Sequence, residues 1–433
     1  MAGGLSTRMR SSTPKHLHPL LGKRVVDWVI DAVRPLAPDP IVVVASPETA
    51  SAYEELPVSV AVQVEPRGSG DAVASARAAL EGFEGDVLVL SDTPLLTPEL
   101  LSALLDEHRQ EQASVTLLSF VPEEPFPYGR IIRDASGSVQ AIVEEKDATE
   151  EQRQIRELNS SIYVFRAGAL WHAVGRIDDD NAQGELYLTD AIGHIVADGG
   201  KAVAFTSSDP VSPQGINTRA ELAAAAAILR ERVNLAHMLA GVTIVDPQAT
   251  WIDAGVEIEP DVTIHPFTAL RGATSVGRGA EVGPHVVAVD SRVGEDVLVG
   301  PFCYLRPGTV LEAGSKAGTF VELKNATIGA GAKVPHLSYL GDAEVGEGSN
   351  VAAGAITANF PHAPGSPKAR TTIGRNVKTG IHNGFQAPVE IGDGSWIAGG
   401  TYITEDVPPD SLAGFPPRQI TKEGYLREQH DDD

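Results

Sequence analysis

The sequence predicts an α/β domain followed by a parallel β-helix. Three observations predict it. Helix-period and strand-like runs alternate through the first half, a Gly-rich loop opens that half, and apolar residues recur every six positions through the second.

Composition sets the outer limits. A chain of 433 residues is long enough for two or more domains, and 42% hydrophobic residues suffice to pack their cores. A net charge of −24 argues against a nucleic-acid partner, whose phosphates attract a basic surface. The single cysteine, Cys303, excludes an internal disulfide framework and suits a reducing compartment. No charged-then-apolar leader opens the chain and no run of 18 apolar residues occurs, so a soluble cytoplasmic protein with no membrane partner is expected.

Residues 1–217 form the first domain in this reading. Helical spacing at Val26, Val29, Ile30 and Val33, and again at Leu100, Leu101, Leu104 and Leu105, alternates with strand-like runs at 41–45, 87–90 and 115–120. That order predicts a mostly parallel sheet with helices on both faces and a ligand beyond the carboxyl ends of the strands. The run Ala2-Gly3-Gly4-Leu5-Ser6-Thr7-Arg8-Met9, with Pro14-Lys15 after it, suits phosphate. Glycines admit phosphate oxygens to backbone N–H groups, and two cations neutralise the charge. Taken alone, a flexible arm with two solvated cations explains the run equally well.

A helix is predicted over 218–240. Thr218 caps it, Glu221 completes a capping box, and the alanine run favours helix. Residues 241–425 carry the six-step rhythm: Val256 to Val262, Ile258 to Ile264, Val293 to Val299 and Leu305, Ile328 to Val334 and Leu340, and Ile391 to Ile397 and Ile403. Neither a helix nor a lone strand has that period; a coil with flat faces and small residues at its corners does, three hexads closing one triangular turn. Residues 426–433 are read as an acidic tail. Within the rhythm, His336-Leu337-Ser338-Tyr339-Leu340-Gly341-Asp342 places a histidine of near-neutral pKa among polar side chains. Alone, such a residue is most often an ordinary surface histidine.

The first motif, Gly4-x-x-Thr7-Arg8-Met9 with Pro14-Lys15, resembles the signature loop of sugar-nucleotide pyrophosphorylases. Further matches follow in family order: Gln63-Val64-Glu65, Gly68-Ser69-Gly70-Asp71-Ala72, Ser91-Asp92-Thr93-Pro94, Tyr128-Gly129-Arg130-Ile131, the run from Val143 to Thr149, Asn159, the run from Asn181 to Glu185, and Gly215-Ile216-Asn217. A Rossmann-like pyrophosphorylase joined to a hexad repeat is similar to the bifunctional N-acetylglucosamine-1-phosphate uridyltransferase/glucosamine-1-phosphate acetyltransferase family, and the likeness covers nearly the whole chain.

The resemblance implies a left-handed β-helix, a homotrimer with active sites between subunits, and two reactions supplying UDP-N-acetylglucosamine for cell-wall precursors. For uridylyl transfer from UTP to N-acetylglucosamine 1-phosphate it implies that Arg8 and Lys15 act on the reacting phosphates and that Asp92 and Asn217 hold Mg2+. Gly4, Lys15, Gln63, Gly68 and Ser69 would bind the nucleotide, and Gly129, Glu144, Asn159 and Asn217 would complete the nucleotide-sugar site. For acetyl transfer from acetyl-CoA to glucosamine 1-phosphate it implies His336 as base, Arg306, Lys324, Tyr339, Asn350 and Asn359 on the sugar phosphate, and Lys368, Ile381, Gly399 and Arg418 on the coenzyme.

The match has departures. Pro66 stands where the family has a Gln near the base, Ser91 where it has a Gly, Ile381 where it has a Ser, and Gly399 where it has an Ala; near Pro416 the family's coenzyme-binding Arg is missing. Met1 abuts the Gly loop where the family has an apolar strand. The chain is therefore expected to extend upstream or to be a fragment, and this form to transfer uridylyl groups poorly. Two other readings stay open: a sugar-1-phosphate nucleotidyltransferase with altered or lost acetyl transfer, and a non-catalytic trimeric β-helix scaffold.

Overall fold

A computed structural model describes residues 1–4, 7–123, 127–360, 367–414, 421 and 423. The chain divides into two compact units, residues 1–229 and 230–433.

In the first unit the strand Val115–Phe120 is buried at every position, as a strand covered on both faces must be. Ala202–Thr206 pairs with it in parallel. Its other neighbour, Leu158–Arg166, runs antiparallel and pairs along its far edge with Asp86–Val89, also antiparallel. The sheet is therefore mixed, which corrects the mostly parallel expectation. The cause is local. After residue 120 the described residues hold no crossover helix; a hairpin, Arg130–Arg133 with Val139–Val143, sends the chain back alongside. The Asp134 carboxylate holds its turn by accepting from the Ser136 and Ser138 amides at 2.8 and 3.0 Å.

The strands Val42–Ala45 and Ser59–Val62 form a separate parallel pair. The helix Val25–Val33 buries Val26, Val29, Ile30 and Val33, the stripe its spacing predicts. Pro98–Gln110 starts where Thr97 Oγ1 accepts from the Leu100 amide at 3.3 Å, with Pro98 in its first turn, and it buries Leu101, Leu104 and His108.

The helix Arg219–Leu239 opens on a capping box. Thr218 Oγ1 accepts from the Glu221 amide at 3.2 Å, and Glu221 Oε2 accepts from the Thr218 amide at 2.9 Å. Among the described residues no helix is long and apolar enough to cross a membrane.

The second unit is a stack of short parallel strands on three faces. The first face runs from Thr243–Ile244 through Lys316–Thr319 and Lys333–His336 to Trp396–Ile397. The second holds nine strands, among them Tyr304–Leu305, Glu322–Lys324, Tyr339–Gly341 and Ile356–Ala358. The third holds eight, from Glu257–Ile258 to Val389–Ile391. Coils take 18 residues (Thr263 pairs with Glu281) or 17 (Glu281 with Leu298), so the six-step rhythm slips by one at some corners. The turn from Asn350 to Lys378 takes 28 because a loop is inserted there.

Inward residues form one continuous core. Ile252, Leu270, Ala288, Leu305, Leu323 and Leu340 succeed one another beneath the second face, all fully buried. A Leu323→Ala substitution is expected to cost about 2–5 kcal/mol, because coils above and below hold the cavity open; a denaturant midpoint will read it.

The corners need left-handed backbone. Two corners meet this with Gly, Asp and Asn: Gly272, Asp290, Gly308, Asn325 and Asp342 on the second, and Asp261, Gly279, Asp296, Gly314, Gly331, Gly348 and Asn376 on the third. The first corner instead carries bulky residues at φ between 48° and 60°: Phe267, His285, Phe302, Phe320, Leu337 and His382. Rings stacked at 4.7, 4.7 and 5.1 Å from Phe267 to Phe320 offset that strain.

Candidate active sites

In the first unit four residues far apart in sequence meet. Lys15 follows Pro14 in a tight turn, Asp92 follows the strand Asp86–Val89, and Asn217 precedes the helix Arg219–Leu239. Lys15 Nζ lies 2.6 Å from Asp92 Oδ2 and donates to Asn217 Oδ1 at 3.1 Å. Arg8 Nη2 donates to the same oxygen at 2.9 Å. Asn217 is fixed from behind, its amide donating to Glu221 Oε2 at 2.6 Å, and the neighbouring Ile216 amide donates to the Asp92 carbonyl at 3.0 Å.

Two hard oxygens bridged by one ammonium form a place that already holds a cation. Among the described residues no cluster of three His, Cys, Asp or Glu side chains offers a metal a cage. A donor set of one carboxylate and one amide oxygen suits magnesium, which keeps waters and takes its remaining oxygens from phosphates.

Gly4 is exposed at the loop. A Cβ on Gly3 would stand 2.7 Å from Gln63 Oε1, so the glycine admits that side chain. Buried Gln63 donates through Nε2 to the Gly68 carbonyl at 3.1 Å and to Asp71 Oδ2 at 2.9 Å. Gly68 has φ +127°, and a Cβ there would lie 2.5 Å from the Leu186 carbonyl oxygen. Ser69 Oγ accepts from the Leu188 amide at 3.0 Å. The segment 63–69 is thus clamped to 186–188.

Gly129, Glu144 and Asn159 also converge. Asn159 donates its amide to the Gly129 carbonyl at 2.9 Å and its Nδ2 to Tyr163 Oη at 2.8 Å. A Cβ on Gly129 would lie 3.5 Å from Glu144 Oε2 and 3.6 Å from Asn159 Cβ. Glu144 accepts from Thr189 Oγ1 at 3.1 Å. Burial raises its pKa above the usual carboxylate value; the Thr189 bond opposes this, and Asp190, Asp147 and Glu185 add to it.

The folded state therefore keeps that proton more tightly than the unfolded chain. Stability from this group is present at low pH and is lost as pH rises through the raised pKa. A Glu144→Gln variant is expected to gain thermal stability over the parent at about pH 8 and little at about pH 4; melting curves at both pH values will check it.

In the second unit the candidate residues fall on two corners. On the second face and its far corner, Arg306 Nη1 donates to Glu322 Oε1 at 2.9 Å and its guanidinium lies 5.8 Å from the Tyr304 ring. Lys324 lies against Lys368, whose hydrogen-bond contact and charge lower the Lys324 pKa, and Arg306 adds to this. Lys368 is carried by the inserted loop, 6.0 Å from the Phe360 ring. Asp342 accepts from Asn325 Nδ2 at 2.6 Å and from Asn359 Nδ2. Burial raises the Asp342 pKa, but these two bonds together with the Lys368 and Lys324 charges outweigh it and the net shift is downward. The Tyr339 hydroxyl occupies the space over Gly341 that a Cβ would need, beside Asn359.

Three cations, Arg306, Lys324 and Lys368, thus gather with two carboxylates, Glu322 and Asp342, and two amides, Asn325 and Asn359.

His336 lies elsewhere, exposed at the end of the first face where Thr319 pairs with it. Ser338 Oγ donates to its carbonyl at 2.7 Å, fixing the corner. Ile381 and Gly399 follow higher on the same corner: a Cβ on Gly399 would lie 3.4 Å from the Ile381 carbonyl oxygen. Ile381 is exposed, and so is Asn350, which bridges Lys333 and Lys378 on the first face. The structure thus groups Arg306, Lys324, Tyr339, Asn359 and Lys368, and separately His336, Ile381 and Gly399. Within one chain the two groups lie at the two ends of one face, whose strand Tyr339–Gly341 spans roughly 10 Å. Arg418 and the acidic tail lie outside the described residues.

Sequence reasoning missed three supports. Asp71 anchors both Gln63 and Arg67, Tyr128 Oη accepts from the Gly215 amide at 3.0 Å, and Glu221 holds Asn217. For Glu221 a signal existed, since the capping box places its carboxylate at the preceding amides.

Comparison with known proteins agrees with both halves. Residues 1–160 match the model of the MobA-like NTP transferase domain. The chain is 46% identical to the bifunctional protein GlmU of Mycolicibacterium gilvum, covering 98% of this chain and 90% of that one. It is 44% identical to bifunctional protein GlmU of Corynebacterium glutamicum, covering 99% and 93%, and 43% identical to that of Thermoanaerobacter pseudethanolicus, covering 99% and 97%. Identity of this extent along both units, each with its own cluster of polar side chains, makes the chain a member of the GlmU family of bifunctional proteins.

Proposed function

We propose that this protein makes UDP-N-acetylglucosamine by two reactions: acetyl transfer from acetyl-CoA to glucosamine 1-phosphate, then uridylyl transfer from UTP to the N-acetylated product. The observation that carries the reading is the Lys15 ammonium held between Asp92 and Asn217, with Arg8 on the same amide oxygen.

In uridylyl transfer a sugar-phosphate oxygen attacks the α-phosphorus of UTP in line, and pyrophosphate leaves with the bond's electrons. No covalent enzyme intermediate forms, so the protein positions groups and neutralises charge. Arg8 and Lys15 take the phosphate oxygens. Asp92 and Asn217 would hold Mg2+, which supplies charge neutralisation when bound. Gln63, Gly68 and Ser69 place the base; Gly129, Glu144 and Asn159 hold the sugar.

In acetyl transfer the glucosamine amine attacks the thioester carbonyl, His336 takes the amine's proton, and the thiol leaves. Arg306, Lys324 and Lys368 hold the sugar phosphate, and Tyr339, Asn350 and Asn359 orient the sugar. Ile381 and Gly399 line the acetyl-CoA side with backbone rather than hydroxyl groups. Because base and phosphate groups occupy different corners, a complete site needs the His336 corner of one copy against the cation corner of another. A cyclic trimer closes three such sites. The lone Cys303 is buried and reduced, and we place the enzyme in the cytoplasm.

Paired assays test the proposal. Pyrophosphate release from UTP with N-acetylglucosamine 1-phosphate, and thiol release from acetyl-CoA with glucosamine 1-phosphate, should both exceed background. A pyrophosphate signal without thiol release would leave a nucleotidyltransferase alone, the outcome that Ile381 favours.

A further inference from the structure

The Gln63 side chain is held in one orientation. Its backbone continues the strand Ser59–Val62, and its amide donates to the Ala45 carbonyl at 2.9 Å. Its side-chain Nε2 donates to two oxygens, the Gly68 carbonyl at 3.1 Å and Asp71 Oδ2 at 2.9 Å. Gln63 and Asp71 are both buried. A carboxamide has a donor end and an acceptor end of nearly the same shape, so its partners decide which way it faces. A carbonyl and a carboxylate only accept. Turned over, Gln63 would set its own oxygen against both of them, with no proton between.

The acceptor end faces the Gly-rich loop. Gln63 Oε1 lies 2.7 Å from where a Cβ on Gly3 would stand, so the missing side chain leaves room beside that oxygen. The Asp71 carboxylate is itself fixed. Arg67 Nη2 donates to its other oxygen, Oδ1, at 2.7 Å, and Asp71 sits in the helix Ser69–Ser75, where Ser75 Oγ donates to its carbonyl at 2.9 Å.

We propose that Asp71 sets the base specificity of the nucleotide site by fixing Gln63 with its oxygen toward the ligand. The site then takes bases whose hydrogen-bonding edge offers a ring N–H, as uracil does at N3. It rejects bases that offer a bare ring nitrogen there, as cytosine does. The inference rests on the reading of Gln63 as a contact to the base. Uracil N3–H donates to Oε1. Cytosine N3 carries a lone pair and would oppose Oε1, and the carboxamide cannot turn to help because Asp71 and Gly68 hold its other end. A site built to take one hydrogen bond rejects a near-isostere that cannot make it far more strongly than an apolar pocket does. Asp71 acts through Gln63, so it is a positioning residue.

The test measures binding of UDP and CDP to the full chain by calorimetry, which needs no turnover. The parent is expected to favour UDP by at least about thirtyfold, and to bind 3-methyl-UDP, which lacks the N3 proton, no better than CDP. Asp71→Asn, whose side chain can donate or accept, frees Gln63 to turn and should cut that preference by about tenfold, chiefly by tightening CDP. Gln63→Glu sets two carboxylates together and should weaken both nucleotides. Adding Asp71→Asn to it restores a donor opposite an acceptor, and the double variant should regain the preference for UDP. Arg67→Ala removes the other partner of Asp71 and should leave the preference within about twofold.

An unchanged preference in Asp71→Asn, or an equal fall in Arg67→Ala, would overturn the proposal. So would a double variant without the preference, or equal binding of UDP and CDP by the parent. Discrimination that follows Asp71 without pyrophosphate release from UTP would sink the uridylyl-transfer reading and leave this inference standing. Pyrophosphate release with a base preference indifferent to Asp71 would sink this inference alone.

Discussion

Replacing His336 with alanine is expected to lower thiol release from acetyl-CoA by about 10²–10⁴-fold, the usual worth of a positioned base. Pyrophosphate release from UTP should stay within about twofold, because the residues proposed for the two chemistries belong to separate units and sites without shared partners act independently. The physical ground is exposure. His336 stands in solvent at a corner fixed by the Ser338 hydroxyl, so its ring is open to an incoming substrate. Loss of both activities from a well-folded protein would contradict separate sites.

Replacing Lys15 with alanine is expected to reduce uridylyl transfer by about 10²–10³-fold, the cost of removing one donor to charge developing in a transition state. The ammonium contacts both Asp92 and Asn217, so its loss removes the cation that two oxygens share. KM for UTP should rise as kcat falls, and raising the magnesium concentration should recover part of the first but little of the second. Acetyl transfer should be unaffected. Lys15→Arg should rescue poorly, because a bulkier planar guanidinium cannot take the single point that the compact ammonium holds between Asp92 and Asn217.

The β-helix was legible because it is repetitive. Buried Leu305, Leu323 and Leu340 recur at almost fixed spacing, and Gly, Asp and Asn mark two of its corners. The first corner was opaque: Phe302 and Phe320 adopt left-handed backbone that their side chains disfavour, and only stacking between coils explains them. In the first unit the long helices and the strand at 115–120 followed from period. The antiparallel course of Leu158–Arg166 did not, since strand direction depends on what lies between strands rather than on the strand itself.

The site was partly legible through motifs. Arg8, Lys15, Asp92 and Asn217, which the motifs single out, touch one another, but Asp71 and Tyr128 act on neighbours through contacts that no local pattern announces. The separation of His336 from Arg306 and Lys324 on two corners was likewise invisible until the register of the coils was known.

The account turns on a site completed by two copies, and mixing two inactive variants tests it most directly. His336→Ala and Lys324→Ala are each expected to lack acetyl transfer alone. Co-assembled in equal amounts, they should recover roughly a quarter of parental activity, because that share of interfaces in a cyclic trimer pairs an intact histidine corner with an intact cation corner. Mixed assemblies as inactive as either parent variant would place both corners' work within one chain and contradict the account.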